Sequence, residues 1–182
     1  MTAAVVRTWL RVADPTALTA REALRAMRVP GGRIEDVARS WIWTFAWSEP
    51  AEARPLLERL ARETNLLVNP NKHAWTIATG EASLPPRGDA WVLVHQDGEG
   101  EELGETLKRR RVPGFPPAAT RRGTLWELRI AGSEAERREA LESVAVARSR
   151  EAGLFANPEI DAAHLFLSPP GAQELIGALA SA

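Results

Sequence analysis

The sequence predicts an α+β protein built from two similar modules in tandem. Arg39 aligns with Arg122 and Trp43 with Trp126 at a shift of 83 residues, and the same shift gives eight identities between positions 22 and 45. Farther along, two apolar runs end in the same dipeptide, first at Asn69 and again at Asn157. A helix-patterned segment precedes each dipeptide and a strand-like segment follows it. Such spacing is characteristic of a duplicated structural unit.

Composition limits the classes of function. The chain has 182 residues, with 23 basic and 24 acidic side chains and no cysteine. The near-neutral balance does not call for a polyanionic partner, and the lack of cysteine excludes disulfides and thiolate chemistry. The N-terminal apolar run is too short, and charged too early, for a signal peptide or a membrane span. We therefore expect a soluble, cytoplasmic protein that does not contact membranes.

The first strand and helix follow from periodicity and capping signals. Residues 4 to 12 alternate in the manner of a half-buried strand, which Asp14 and Pro15 then interrupt. Thr19 with Glu22 three residues later forms a capping-box pattern, which predicts the helix start. Pro30 and the two glycines after it predict the helix end.

Two strands, 33–39 and 41–47, are predicted around a tight turn near Ser40, whose counterpart in the second half is Gly123. The second of these strands is apolar on both faces, which is typical of a central strand. Four aromatic residues share one of its faces: Trp41, Trp43, Phe45 and Trp47.

A second helix, with Ser48 as its cap, is predicted from apolar residues at helical spacing, and residues 73–78 can form a fourth strand. The order strand, helix, strand, strand, helix, strand is that of a ferredoxin-like (βαββαβ) module with an antiparallel sheet. Its second and fourth strands should lie at the edges. Pro116 and Pro117 fall in the second strand of the second copy, and only an edge strand tolerates proline.

The same order repeats in the second half, where Ser133 and Glu136 form another capping box. We predict module 1 at 1–79, a linker at 80–89, module 2 at 90–168 and a tail at 169–182 that can form a short helix. Together the two modules would be arranged as a pseudo-dimer.

The landmarks of this unit resemble the PurS family, the small non-catalytic subunit of phosphoribosylformylglycinamidine synthase. The matching segments are 12–15, 34–39 and 66–70 in the first copy and 122–128 and 156–161 in the second. Members of that family are obligate dimers of single units. The resemblance therefore implies a dimer fused into one polypeptide, and it leaves room for further association between copies.

The resemblance also implies a role in purine biosynthesis. The family subunit bridges the ATP-using synthetase subunit and the glutaminase subunit, and it has no catalytic site of its own. On this reading the chain needs no cofactor. Its expected interface or structural residues are Asp14, Arg39, Trp41, Trp43, Trp47, Asn69, Asp97, Arg122, Trp126 and Asn157.

The residues themselves support a non-catalytic reading. The sequence has no phosphate-binding glycine loop and no nucleophile elbow. His73, His95 and His164 occupy non-equivalent repeat positions without metal-ligand spacing, so we expect ordinary strand or loop histidines. Asp14 and Asp97 recur at the strand-to-helix turn, where a carboxylate accepting backbone N–H groups is the simplest role.

The aromatic face of the 41–47 strand allows two interpretations. Packing in the core is favoured, because so much apolar surface is rarely left in water. A stacking platform for single-stranded RNA is the second, with phosphate contacts from the basic run 108–111. The aromatic and basic residues lie in different copies, which disfavours nucleic acid. For the function of the whole chain, a small-ligand regulatory module with a site between the two copies is a further alternative.

Overall fold

All strands of the described chain join one antiparallel sheet. A computed structural model describes residues 2–47, 52–80, 82–112, 119–149 and 153–181. The strands are β1 (Thr2–Leu10), β2 (Arg33–Trp47), β3 (His73–Thr79), β4 (Ala90–His95), β5 (Ala119–Ala131) and β6 (Ala162–Phe166). The helices are α1 (Pro15–Ala26), α2 (Ala53–Glu63), α3 (Glu101–Arg109), α4 (Glu134–Ala145) and α5 (Ala172–Ala180). The predicted α+β class with antiparallel pairing is confirmed.

The sheet order is β3-β1-β2-β5-β4-β6, so each half of the chain supplies three neighbouring strands. The halves join where β2 pairs with β5. In that pairing Arg39 lies opposite Trp126 and Trp43 lies opposite Arg122, with Trp41 opposite Thr124 between them. Each of the two repeated arginines thus lies opposite the repeated tryptophan of the other half. The Trp41–Thr124 pair is the centre of this local two-fold relation in the ladder.

The predicted hairpin turns at Ser40 and Gly123 are wrong. Both residues lie inside continuous strands, β2 of 15 residues and β5 of 13 residues. Each half is therefore strand, helix, strand, helix, strand, and the order βαββαβ is not formed. The fourth predicted strands, now β3 and β6, lie at the sheet edges as expected, but the second predicted strands are parts of β2 and β5 in the middle of the sheet and not at its edges. Ser48, Pro116 and Pro117 are outside the described residues.

One face of the sheet, here called the helix face, carries α1 to α4 over two apolar cores. The first core joins α1 and α4 to side chains such as Val92 and Leu128. The second joins α2 and α3 to side chains such as Val6 and Phe45. In both cores residues of the two halves mix, because α1 packs with second-half strands and α3 packs with first-half residues.

The opposite face, here called the tail face, is covered by α5 and by the predicted linker. Leu175 and Leu179 of α5 are buried against Val5, Ile42 and Leu125. The linker runs across the same face, where it buries Leu84 and forms a β-bridge between Ser83 and Gly171. The expected tail helix is confirmed as α5. Within the described ranges no helix is both long and apolar enough to cross a membrane.

Helix capping agrees with the sequence for α4 and differs for α1. Ser133 and Glu136 form the predicted reciprocal capping box. Helix α1 begins earlier than predicted, because Asp14 rather than Thr19 is its N-cap and accepts the backbone N–H of Thr16 at 2.9 Å. Pro15 suits the first helical position, where its missing N–H costs nothing.

Candidate functional site

Six of the ten predicted site residues come together on the helix face, at the junction of β2 and β5. This group, here called the Arg–Trp cluster, consists of Asp14, Arg39, Trp41, Trp43, Arg122 and Trp126. Strand alternation explains the grouping. Odd-numbered residues of β2 and even-numbered residues of β5 point to the same face, and the register makes them cross-strand neighbours.

In the first half of the cluster a salt bridge is stacked on indole rings. Arg39 bonds Asp14 through both oxygens, with Nε to Oδ2 at 2.8 Å and Nη2 to Oδ1 at 3.1 Å. The same guanidinium lies 4.9 Å from the ring centre of Trp41 and 5.8 Å from that of Trp126. Arg39 therefore ties the start of α1 to the centre of the sheet, since Asp14 is also the cap of that helix.

The second half repeats the stacking but not the acid. Arg122 lies 5.2 Å from the ring centre of Trp43, as Arg39 lies over Trp126. Its carboxylate partner is Glu99, at 3.7 Å, rather than Asp97. Asp97 is exposed in the turn before α3, which Gly100 opens in a left-handed conformation with φ 95°. The predicted role of a carboxylate that accepts backbone N–H groups is confirmed for Asp14, whereas the N-cap of α3 is Gly100 and not Asp97.

Asn69 and Asn157 lie outside the cluster but share one turn geometry. Each side-chain oxygen accepts the backbone N–H two residues later, from Asn71 and from Glu159, at 3.1 Å in both cases. Each backbone carbonyl accepts the N–H four residues later, from His73 and from Asp161, at 2.8 Å in both cases. The two Asn-Pro segments therefore form equivalent turns, each leading into an edge strand.

Trp47, the remaining candidate, does not join the cluster. It lies at the end of β2, 4% exposed, in the core beneath α2. Its ring stacks on Phe45 with the ring centres 6.0 Å apart. Core packing, the favoured interpretation of the aromatic strand, is confirmed for Trp47 and Phe45. Trp41 and Trp43 are half-buried.

A buried polar group on the tail face was missed by sequence reasoning. Arg7 and Glu127 form a salt bridge in which their side chains are 2% and 0% exposed. Ser40 donates to Glu127 at 3.3 Å, and Arg7 donates to the linker carbonyl of Pro85 at 2.7 Å. Burial raises the pKa of Glu127, and the nearby cations oppose that rise. In the sequence these charges look like the solvent side of two strands, because nothing local shows that the linker covers them.

Two histidines also meet on the tail face. The Nε2 atoms of His95 in β4 and His164 in β6 are 3.2 Å apart, and the rings lie within 11° of parallel. Both residues lie in strands, as expected, but the sequence did not indicate that they contact each other. Their proximity depends on the β4–β6 register, which sequence spacing does not reveal.

In the Arg–Trp cluster two guanidinium groups stack on indole rings, and each lies near a carboxylate. Such compensated ion pairs favour positioning and recognition over bond-making, because each guanidinium already has an anionic neighbour. Among the described residues no group of three or more His, Cys, Asp or Glu side chains could hold a metal ion. No protein-family model and no curated protein sequence matches the chain.

The repeat pair Asp14 and Asp97 provides a matched prediction. Asp14→Ala should lower the free energy of unfolding by about 1 to 2 kcal/mol, because it removes a helix cap. Asp97→Ala should change that free energy by less than about 0.5 kcal/mol, because Asp97 is exposed and caps no helix. Urea denaturation of both variants would measure the difference. Equal losses would contradict the unequal roles assigned to the two aspartates.

The contribution of His73 and His164 to the stability of the protein should fall as the pH drops below about 6.5, the usual histidine value. Burial lowers the pKa of His164, and His95 lowers it further. Burial and then Lys72 lower the pKa of His73. The folded state thus binds fewer protons than the unfolded chain between these depressed values and 6.5, so protonation there favours unfolding.

The control for this pH dependence is His164→Asn. The variant should lose less unfolding free energy than the parent between about pH 7.5 and pH 5.5, measured by urea denaturation. An equal loss in both proteins would show that His164 does not carry the dependence.

Proposed function

We propose that the chain is a tandem pseudo-dimer acting as a non-catalytic bridging subunit of phosphoribosylformylglycinamidine synthase. In this role it would link the synthetase and glutaminase subunits in purine biosynthesis. The pairing of β2 with β5 is the observation that supports the pseudo-dimer arrangement. The role itself rests on the family resemblance of the motifs in both halves.

The pairing supports a duplicated origin because two independent relations agree. The sequence shift aligns Arg39 with Arg122 and Trp43 with Trp126. The register then places each arginine opposite the other half's tryptophan. An isologous dimer interface has this property, since residue i contacts j and residue j contacts i. Joining two such units in one chain would preserve the contact.

The edge strands give a second line of support. The turns at Asn69 and Asn157 use the same side-chain and backbone bonds at matching distances. These asparagines lie in the motif by which the chain resembles the PurS family. Turns of one geometry at both ends of the sheet would present two similar surfaces, which suits a subunit that must contact two partners.

Co-purification tests the proposal. The tagged chain would be mixed with the synthetase and glutaminase subunits from the same organism, with glutamine, ATP and Mg²⁺ present, and passed over a size-exclusion column. We expect all three proteins to elute together. Elution of the chain apart from both partners would overturn the proposed bridging role, and the function of the fold would then be open.

The second candidate is a small-ligand regulatory module, with a site between the two halves. The position of Trp41 favours it, because this half-buried ring lies at the two-fold centre between Arg39 and Arg122.

RNA stacking is less well supported, since both sheet faces carry helices. Titration with single-stranded RNA at two salt concentrations would discriminate, because phosphate binding weakens as salt rises.

A further inference from the structure

The His95–His164 pair lies where two strands of the second half meet. Leu93 pairs with His164 and His95 pairs with Ala162, so the two histidines are diagonal neighbours on the tail face. His95 is 2% exposed, whereas His164 is half-buried on the edge strand β6. The approach to the pair is therefore from the side of His164.

The separation of the two nitrogens suits a shared metal ion. Zinc–imidazole bonds are about 2.0 to 2.1 Å long, so nitrogens 3.2 Å apart would subtend roughly 100° at the ion. That angle is close to tetrahedral. For both Nε2 atoms to bind one ion, each neutral imidazole must carry its proton on Nδ1, and the two metal bonds would then replace the hydrogen bond between the rings.

Asp161 lies next in sequence to Ala162, the residue that pairs with His95. The Asp161 carboxylate is already engaged: Oδ1 accepts from Gln96 at 3.0 Å and Oδ2 accepts the Asn157 N–H at 2.8 Å. Asp161 thus links Gln96, which follows β4, to the turn that precedes β6. The two histidines remain the proposed metal ligands.

We propose that His95 and His164 form a two-histidine chelate for a divalent first-row transition ion such as Zn²⁺. Since the described residues offer no cluster of three or more metal-ligating side chains, water or an external ligand would complete the coordination. Imidazole nitrogen favours Zn²⁺, Cu²⁺ and Ni²⁺ over Mg²⁺ and Ca²⁺. The site is independent of the bridging role proposed above.

Metal titration of the full chain tests the site. At a Zn²⁺ concentration a hundred times the Kd, the melting temperature should rise by about 5 to 10 °C. Mg²⁺ at the same concentration should give no rise. His164→Asn should abolish the Zn²⁺ effect, and His73→Asn, the matched control on β3, should keep it. A Zn²⁺ effect that survives in His164→Asn would overturn the proposal.

A spectroscopic readout separates binding from stability. Co²⁺ in a near-tetrahedral site absorbs visible light more strongly than octahedral Co²⁺ in water, so one equivalent should produce this absorption in the parent and in His73→Asn. The signal should be lost in His164→Asn, whose folding would be checked by circular dichroism. Octahedral spectra in all three proteins would contradict the chelate.

Discussion

Replacing Arg7 with methionine is expected to lower the free energy of unfolding by about 3 to 5 kcal/mol. The substitution removes the cation bonded to Glu127, whose side chain is fully buried. It also removes the bond from Arg7 to the carbonyl of Pro85, which fixes the linker to the sheet. A carboxylate left in an apolar interior without its partner costs more than the pair contributes, because its desolvation is then uncompensated.

A double substitution tests that explanation. Arg7→Met combined with Glu127→Leu should recover most of the loss, since no charge is then buried. The loss in Arg7→Met relative to the parent should shrink as the pH falls, because Glu127 has a raised pKa and its protonation favours the folded state. Urea denaturation gives these free energies.

The matched control is Arg33→Met, which breaks an exposed pair with Glu35 and should cost less than about 1 kcal/mol. Equal destabilisation of Arg7→Met and Arg33→Met would contradict the explanation by an uncompensated buried charge. So would a failure of Glu127→Leu to restore stability in the Arg7→Met background.

Leu179→Ala should cost about 2 to 5 kcal/mol, as truncation of a fully buried leucine usually does. Leu179 is 1% exposed and packs α5 onto the tail face. The close approach of α5 depends on Gly123, because a Cβ there would lie 2.9 Å from the Cδ2 atom of Leu179. Helix α5, which supplies Leu179, lies outside both predicted modules.

Leu18→Ala is the control for Leu179→Ala, since it makes the same change in a helix at a side chain that is 41% exposed. It should cost less than about 1 kcal/mol, because little apolar surface is lost from the interior. Thermal melts of both variants would show the contrast. Equal shifts in melting temperature would mean that α5 rests loosely on the sheet.

The mistaken turns at Ser40 and Gly123 have a common physical cause. Small residues in a strand pattern indicate either a turn or a close approach of another group. Here both mark close approach, since Ser40 is buried against Glu127 and Gly123 makes room for Leu179. What approaches them comes from β5 and α5, far along the chain, so local reasoning could not choose between the two meanings.

Repetition identified residues of the Arg–Trp cluster in the sequence, whereas their grouping depends on the pairing of β2 with β5, which was not predicted. Arg39 and Trp43 recur at one spacing as Arg122 and Trp126, and strand alternation then places them on one face. The His95–His164 and Arg7–Glu127 pairs occur once each and have no such signal. Both pairs join strands that are distant in sequence, and their contacts depend on the order of strands in the sheet.

The mixed cores of the helix face have a consequence for how the chain can be cut. Because α1 packs with second-half strands and α3 with first-half residues, neither half encloses an interior by itself. A single proteolytic nick near Gly80, where the backbone is exposed, should leave two fragments that stay associated and melt together. The two polypeptides would behave as a non-covalent heterodimer, and neither is expected to refold without the other.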